Sequence, residues 1–516
     1  MTQRLLTING PGRIILGTLV TTCSCSCRND DPPAPATRPT PTTVATTDER
    51  IHTFCGTCHT FPPPEILPRG VWEFEIDKMY ELAGVSDEVE DFPPREATLA
   101  YYTDRAPAKP LPLPDDSPHG PGPLRFRTRG FRPPRVPPGS GVAYLKFVNL
   151  FDARRQDLIA CDMLHGIVWV QQFYLPGQPF MVLAEIPNPA HAEVVDLDRD
   201  GKLDLLVANL GSFQPEDHDR GTVEWLRGLG AEQFELIQLL DKVGRVADVQ
   251  PGDVDGDGDL DLAVAVFGWR LTGKVLFLEN TGRVDDRGTP MFNDYILDPR
   301  QGAINVPIVD INHDGRLDIV ALLAQQHETV AAYLNDGKGD FDTVEIFKAP
   351  HPDWGSSGIE VVDLDRDGDL DVVMVNGDTL DSKIPIKPFH GVHWLENEGK
   401  FPFRAHRLAV FPGAHKVRAT DLDGDGDLDL VASSFLPQLR TLSAKRTANI
   451  ESVIWLEQVA PGTFETHVLE SGEFDHPSLE VGDYDRNGTV DIITGTFIME
   501  QATNTNRPWL TFFERR

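Results

Sequence analysis

From residue 142 onward, the chain alternates acidic nine-residue segments with short apolar runs. Each acidic segment leads directly into a run such as 205–208 or 372–375, whose length and β-branched residues predict a buried strand. A second apolar run with a central aromatic residue follows each time, as at 223–226 and 392–395. The six acidic segments start 57, 57, 53, 58 and 62 residues apart. One structural unit therefore occurs six times in succession.

A degenerate seventh unit precedes these six. Residues 148–159 follow the same pattern and lead to an aromatic run at 167–170, but the glycine and most acidic residues are missing. Residues 142–516 number 375, or about 54 per unit for seven units, which suits four strands and their loops. The sequence thus predicts a mainly β fold, a seven-bladed β-propeller within residues 124–516.

The last unit ends directly after its aromatic run at 509–513, so its outer strand has to come from elsewhere. Residues 124–131 have strand-like alternation and belong to no unit. We expect this segment to close the ring.

The acidic segments follow the pattern DxDxDGxxD. Calcium prefers six or more hard oxygen ligands, which side chains at positions one, three, five and nine and the carbonyl at position seven can supply. Glycine at position six permits the tight turn. The EF-hand is excluded because its loop has twelve residues between helices, whereas position twelve here is apolar, as at Val207. The alternative interpretation is a set of acidic, solvated turns.

The predicted calcium ligands are the side chains at the same four positions of each loop. They are Asp196, Asp198, Asp200 and Asp204; Asp253, Asp255, Asp257 and Asp261; Asp310, Asn312, Asp314 and Asp318; Asp363, Asp365, Asp367 and Asp371; Asp421, Asp423, Asp425 and Asp429; and Asp483, Asp485, Asn487 and Asp491. The loops resemble those of FG-GAP and VCBS repeats, the calcium-binding blades of integrin-type propellers. This resemblance implies up to six calcium ions, held more weakly at Asn312 and Asn487.

A different motif lies near the amino terminus, at Cys55-Gly56-Thr57-Cys58-His59. In the c-type haem signature CxxCH, two cysteines form thioethers with the haem vinyl groups and the histidine lies under the iron. The alternatives are a thioredoxin-like redox pair and half of a zinc site. Both are less favoured, because no βαβ pattern surrounds the motif and no second CxxC or HxxxH completes four zinc ligands.

Helical periodicity follows the motif at 71–83 and 95–105, which predicts a small all-α domain over residues 51–106. The order CxxCHxxPxP, Trp, Met resembles the small c-type cytochrome modules of bacterial surface and periplasmic proteins. The resemblance implies a covalent haem c. Met79 is the only methionine between the motif and residue 160, so we expect it to be the sixth iron ligand. The alternatives are that Met79 is a core residue, or that His52 takes its place.

The first residues predict export. Residues 1–27 are predicted to be a signal peptide with a short apolar stretch at 14–20. Residues 20–23 resemble a bacterial lipobox, with Cys23 as the lipidated residue; Cys25 and Cys27 offer other registers, and simple secretion is the alternative. Residues 28–50 are predicted to be a Pro/Thr-rich tether and residues 107–123 a linker. We therefore expect an extracytoplasmic protein at the bacterial surface or in the periplasm, in contact with the membrane only through a lipid anchor.

Charge narrows the function classes. The 516-residue chain has a formal charge of −33, which excludes nucleic-acid binding through phosphate neutralisation and argues against adhesion to anionic lipid. Six cysteines are too few for a disulfide scaffold of this size, and Cys161 is expected to be buried and inert.

The sequence contains no nucleophile elbow, P-loop or HExxH motif. Four polar residues precede the acidic loops and are predicted either to line one mouth of the propeller channel or to fix blade packing: His191, Asn305, His415 and His476. The favoured function is electron transfer to a redox partner protein. The alternatives are an oxidoreductase acting on a small sugar or alcohol, and an adhesion protein. The arginines of 124–131 are structural in one interpretation and contact haem propionates in another.

Overall fold

The computed structural model describes residues 46–57, 59–84, 92–113, 119–134, 136–175, 177, 179–380, 382–441, 447–498 and 507–516. The predicted signal peptide, the lipidation site at Cys23, tether residues 28–45 and the motif residue Cys58 lie outside these ranges. Within the described residues, no helix is both long enough and apolar enough to cross a membrane.

Strand β1 (Phe126–Phe131) is followed by 28 strands, and together they form seven antiparallel sheets. Blade 1 comprises β2 (Val142–Val148), β3 (Asp157–Asp162), β4 (Ile167–Gln171) and β5 (Phe180–Glu185). Blade 2 comprises β6 (Pro189–Val195), β7 (Asp204–Asn209), β8 (Gly221–Gly230) and β9 (Gln233–Val243). Blade 3 comprises β10 (Val246–Gly252), β11 (Asp261–Val266), β12 (Lys274–Val284) and β13 (Pro290–Asp298). Blade 4 comprises β14 (Ala303–Asn305), β15 (Ile308–Val309), β16 (Asp318–Leu323), β17 (Thr329–Asn335) and β18 (Phe341–Lys348).

The remaining three blades follow the same order. Blade 5 comprises β19 (Ser356–Val362), β20 (Asp371–Asn376), β21 (Gly391–Glu396) and β22 (Arg404–Val410). Blade 6 comprises β23 (Ala414–Thr420), β24 (Asp429–Ser434), β25 (Glu451–Ala460) and β26 (Thr463–Ser471), with a short 3-10 helix, Pro437–Thr441, between its second and third strands. Blade 7 comprises β27 (Ser478–Gly482), β28 (Asp491–Gly495), β29 (Leu510–Arg515) and β1.

The first strands of neighbouring blades contact each other in a closed ring, β2–β6–β10–β14–β19–β23–β27 and back to β2. The second strand of every blade is buried along its whole length, which explains the continuous apolar runs that follow the acidic loops. The predicted seven-bladed propeller is confirmed.

The ring closes as the sequence predicts. Strand β1 pairs antiparallel with β29, with Phe126 opposite Arg515 and Phe131 opposite Leu510. Within β1, Arg129 donates from Nε to Glu514 Oε1 at 2.8 Å and lies 4.4 Å over the Phe512 ring. The structural interpretation of this arginine is therefore confirmed.

Antiparallel order gives the propeller two different faces. The connections from first to second strands, which carry the acidic loops, all lie on one face, which we call the acidic-loop face. The connections from second to third strands, and from each outer strand to the next blade, lie on the other, which we call the opposite face.

Three helices precede the propeller and form what we call the helical module: α1 (Thr47–Cys55), α2 (Trp72–Leu82) and α3 (Arg95–Arg105). Helices α2 and α3 occur where the sequence predicts them. Helix α1 begins before the expected boundary at residue 51, because Thr46 and Glu49 form a capping box: Glu49 N donates to Thr46 Oγ1 at 3.3 Å and Thr46 N donates to Glu49 Oε2 at 2.7 Å. The expected tether therefore ends earlier than predicted.

The helical module has its own apolar core. Trp72 packs on Tyr102 with ring centroids 4.1 Å apart, and its indole Nε1 donates to Pro64 O at 2.9 Å in the short 3-10 helix Pro64–Ile66. Tyr80 donates its hydroxyl to Pro93 O at 2.6 Å, which joins α2 to the segment before α3. These contacts fix the three helices around Ile51 and Ile76, both fully buried.

Replacing Arg129 by alanine should destabilise the ring closure. The variant loses a hydrogen-bonded ion pair with a carboxylate that is 16% exposed and a cation–π contact, so we expect a loss of about 1–2 kcal/mol in the free energy of unfolding. Thermal denaturation measures this. Arg127→Ala is the matched control, because Arg127 lies on the same strand, is 60% exposed and is 3.9 Å from Glu514. Equal melting temperatures for the two variants would contradict the assigned role.

Candidate functional site

A cavity of about 560 Å³ lies between the helical module and the opposite face of blades 3 to 5. The module contributes His59, Met79 and apolar side chains of α2. The propeller contributes the connections around Trp269, Glu328 and Lys387. This volume is in the range of ordinary cofactor pockets. The cavity is bounded by two parts of the chain that the sequence presents as separate.

His59 is held in a defined tautomer at the edge of this cavity. Its Nδ1 lies 2.8 Å from Thr60 O, and since a carbonyl oxygen only accepts, Nδ1 carries the proton. Nε2 has no described hydrogen-bond partner. Burial lowers the pKa of His59, which favours the neutral imidazole that metals bind. The residue thus presents a neutral imidazole whose Nε2 lone pair is not used by any described residue.

Met79, on α2, lines the same cavity as His59. His52 does not: its Nε2 lies 2.6 Å from the Tyr101 hydroxyl, and its ring stacks on Phe61 at 3.9 Å. The geometry therefore favours Met79 over His52 as the second axial ligand, although the role itself stays a prediction.

Cys55 lies at the end of α1 and is 1% exposed. It belongs to the same buried cluster as Leu67, Trp72 and Ile76, which also line the cavity, but it is not itself a lining residue. Burial raises the pKa of its thiol to about 11. Cys55, His59 and Met79 therefore lie in one small module, and His59 and Met79 line its cavity.

The propeller wall of the cavity contains buried ionisable groups. Glu328 is 4% exposed and accepts from Ser356 N at 2.9 Å, and burial raises its pKa to about 8. Lys387, 4% exposed, donates to Asp353 Oδ1 at 2.6 Å. Nothing in the repeat pattern marks these residues, because they lie in connections that differ from blade to blade.

On the acidic-loop face, the six loops share one backbone conformation. The glycine at position six has a positive φ in every loop, as at Gly201 (83°) and Gly426 (105°). Position four is also left-handed in every loop, whether it is Gly256 (74°) or Arg199 (56°). The left-handed conformation at position four was not predicted from the sequence. The glycine that occurs at this position in two loops is the sequence feature that indicates it.

The carboxylates at positions one, three and five converge. In the second, fourth and fifth loops, one oxygen from each lies within 4.8 Å of the others, as for Asp421, Asp423 and Asp425. Asp196 Oδ1 and Asp363 Oδ1 are buried with no described hydrogen-bond partner. Buried, unpartnered carboxylate oxygens are costly unless a cation binds them, so the donor set fits calcium.

The aspartate at position nine has a structural role that the sequence did not reveal. Asp429 accepts from Leu422 N at 3.1 Å and from Gln458 N at 2.8 Å, so one carboxylate joins the loop to the third strand. The same pair of hydrogen bonds occurs at Asp204, Asp261, Asp318 and Asp371. We call this arrangement the position-nine clamp. That these aspartates also bind calcium stays a prediction.

Neighbouring loops have complementary charges. Arg199 at position four lies 3.7 Å from Asp259 at position seven of the next loop, and His313 lies 3.7 Å from Asp369 in the same way. Where position four is glycine, position seven of the next loop is not acidic. Gly256 is position four of the second loop, and position seven of the third loop is Arg316. These pairs are exposed and contribute less than about 1 kcal/mol each, so they favour one loop arrangement more than they stabilise the fold.

The four polar residues predicted for a channel mouth lie at the ends of the inner strands near the opposite face. His191 Nε2 is 3.2 Å from Asp248 Oδ1 of the next blade, and Asn305 Oδ1 accepts from Ile359 N of the next blade at 3.3 Å. His476 Nε2 is 2.8 Å from Glu470 Oε2 of the preceding blade. His415 packs on Phe435. These contacts support the interpretation that these residues fix blade packing. Cys161 is fully buried, as predicted.

Comparison with known proteins identifies the repeats. The family described as FG-GAP-like repeat matches residues 196–264 and 310–374. The first range contains the first and second acidic loops, and the second range contains the third and fourth. No curated protein matches the chain. The chain is therefore a seven-bladed β-propeller that carries FG-GAP-like repeats, a scaffold typical of binding and docking proteins.

Several solved structures are similar in overall architecture. BBS1N in complex with ARL6DN is 12% identical with a TM-score of 0.44, over 76% of this chain and 97% of that chain. Saccharomyces cerevisiae Sqt1 is 10% identical with a TM-score of 0.42, over 77% and 99%. The rhamnogalacturonan lyase PL11 of Bacillus licheniformis is 12% identical with a TM-score of 0.38, over 74% and 61%. Similarity at this level transfers no function.

Replacing Asp157 by alanine should separate the hydrogen-bonding role of position nine from ion binding. Asp157 stands at position nine of the degenerate loop, is fully buried, and accepts from Leu150 N, Phe151 N and the Tyr174 hydroxyl. We expect a loss of about 2–3 kcal/mol in the free energy of unfolding, because buried donors lose their acceptor. The loss should be the same with calcium and with a chelator, as measured by thermal denaturation.

The half-exposed Asp152 of the same loop is the control, and Asp152→Ala should cost less. A destabilisation by Asp157→Ala that appears only in the presence of calcium would contradict this role of position nine.

Proposed function

We propose that the chain is an extracytoplasmic electron-transfer protein, in which the helical module binds one covalent haem and the propeller is a calcium-stabilised docking scaffold. One observation carries the proposal: the histidine of the CxxCH motif and Met79 line one cavity, which the propeller covers. When bound, the haem supplies a one-electron couple at its iron.

The chain's own residues have defined parts in this proposal. His59 donates from Nδ1 to Thr60 O and so keeps the lone pair of Nε2 for iron. Met79 offers its thioether. Leu67, Trp72 and Ile76 form an apolar part of the cavity wall, and Cys55 belongs to the same buried cluster. Cys58, the second thioether position, lies outside the described residues.

The proposal includes a location and a partner. A CxxCH haem attached outside the cytoplasm agrees with the export-like residues 1–27 and with a lipid anchor at Cys23. A redox partner protein would dock on the propeller and exchange electrons with the module. The acidic formal charge makes a nucleic acid an unsuitable partner.

The haem assignment is tested with three variants of the exported, haem-loaded chain. Replacing Cys55 and Cys58 together by alanine should remove haem stain from the denatured protein, because both thioether positions are lost. Met79→Ala should keep the covalent haem but convert a low-spin, six-coordinate absorption spectrum into a high-spin or water-ligated one.

His52→Ala is the control for the axial ligand, because His52 pairs with Tyr101 and does not line the cavity. Its spectrum should match the parent. Haem stain that persists in the double cysteine variant would overturn the function, whereas a spectrum that changes with His52 and not with Met79 would reassign the ligand.

We further propose that the six acidic loops bind calcium. Convergent carboxylates and the unpartnered oxygens of Asp196 and Asp363 support this. Six divalent ions would add 12 positive charges and change the formal charge from −33 to −21. Calcium would then stabilise the folded propeller by mass action.

Chelation should lower the melting temperature of the propeller in scanning calorimetry. A site saturated at about 100 times its Kd contributes about 2.7 kcal/mol, so removing Asp421 and Asp423 together should destabilise the calcium-bound form by a comparable amount without abolishing folding. The matched control removes two exposed acidic residues of β18, by Asp342→Ala with Glu345→Ala. A main transition that does not move between saturating calcium and excess chelator would contradict the proposal.

A further inference from the structure

The cavity described above has a propeller wall as well as a module wall. The propeller side comes from the connections between β11 and β12, β16 and β17, β18 and β19, and β20 and β21, all on the opposite face. A haem held by His59 and Met79 would therefore contact blades 3 to 5 directly. The propeller is then part of the cofactor site.

The cavity is lined by more acidic than basic side chains. The carboxyl groups come from both walls, namely Glu75, Asp77, Glu81, Glu328, Asp353 and Asp378. Glu328 is neutral near pH 7, because burial raises its pKa to about 8, and Asp77 already pairs with Arg95. The cations are three: Lys78, Arg270 and Lys387. A haem adds two propionate carboxylates to this surface, so at least one of them requires a cation that is not already used.

Arg270 is the cation that meets this requirement. Its guanidinium lies 4.1 Å over the Trp269 ring and forms no ion pair with any described residue. Lys387, by contrast, is buried against Asp353 at 2.6 Å. Arginine also has the planar geometry that binds a carboxylate through two parallel hydrogen bonds.

The backbone that carries Arg270 is fixed by the preceding blade. Asp217 accepts from Arg270 N at 3.0 Å, from Leu271 N at 2.9 Å, and from Thr272 N at 3.1 Å and its hydroxyl at 3.0 Å. One carboxylate thus organises the whole turn.

We propose that Arg270 is the propeller's anchor for a haem propionate and that it raises the reduction potential of the module, with Asp217 as its positioning residue. This inference rests on the proposed haem function. A cation beside the cofactor favours the reduced form, which carries one positive charge fewer at the iron. The propeller would then set the potential of the electron carrier that it supports.

The test is the midpoint potential of the haem-loaded full chain, measured by spectroelectrochemical titration. Arg270→Gln should lower the equilibrium constant for reduction about tenfold, which is about 59 mV for a one-electron couple. Arg270→Lys keeps the charge and should shift the potential less. The control is Arg283→Gln, which removes the same charge from the same blade at an exposed position on the other face and should leave the potential unchanged.

Asp217→Ala keeps Arg270 but frees its turn, which lowers the potential, whereas loss of the carboxylate itself acts in the opposite direction. The change in potential caused by Asp217→Ala should therefore be more negative in the parent than in the Arg270→Gln background, which contains no guanidinium to displace. If the parent binds haem with a His/Met spectrum and Arg270→Gln has the parent potential, this inference is overturned and the function stands. If the parent chain, produced with haem-attachment machinery, carries no haem, both are overturned. If Arg270→Gln does not fold, the potentials of Arg270→Lys and Asp217→Ala decide, and parent-like values in both overturn the inference.

Discussion

Ring closure is the constraint on which the rest of the structure depends. Each blade buries its second strand only if neighbours cover both sides of the sheet, so an open ring would expose apolar surface at its two ends. The last repeat supplies three strands, and β1 supplies the fourth by pairing with β29. The residues before β1 are held as well, since Val468 N donates to Gly120 O at 2.9 Å on the outer edge of blade 6. The module is therefore attached to the propeller close to the closing strand.

Strand direction then separates the two kinds of chemistry. Because all blades run in the same order, every first connection lies on the acidic-loop face and every second connection on the opposite face. The carboxylates that fit calcium are thus collected on one side, and the cavity with His59 and Met79 lies on the other. A calcium ion and a haem bound at these two places would therefore influence each other only through the stability of the blades.

The repeated parts of this molecule and its periodic helices are predictable from sequence, and the irregular connections that occur once are not. Six copies of one loop and a degenerate seventh unit reveal the blade count, the glycine at position six and the need for an outer strand, which β1 fulfils. Helical periodicity likewise predicts α3 over Arg95–Arg105. The turn at Trp269 and Arg270 has no counterpart in other blades, and its importance depends on the packing of the module against it, which only the tertiary structure reveals. The early start of α1 was missed because the Thr46–Glu49 capping box lies in a Thr-rich segment that resembles a spacer.

The degenerate blade distinguishes what the fold requires of the loop from what an ion requires. Its loop has lost the acidic residues of positions one, three and five and has Arg154 in place of the glycine, yet it keeps Asp157. Asp157 still accepts from the backbone of the loop, and the turn is held locally by Asp152, whose Oδ1 accepts from Arg154 N at 2.9 Å. A blade therefore needs the position-nine carboxylate for its backbone hydrogen bonds, whether or not the other positions carry charge. In the other six loops, side chains at positions one and three also hold the turn, as Asp196 does by accepting from Gly201 N at 3.0 Å. A cation bound between the convergent carboxylates would relieve their mutual repulsion.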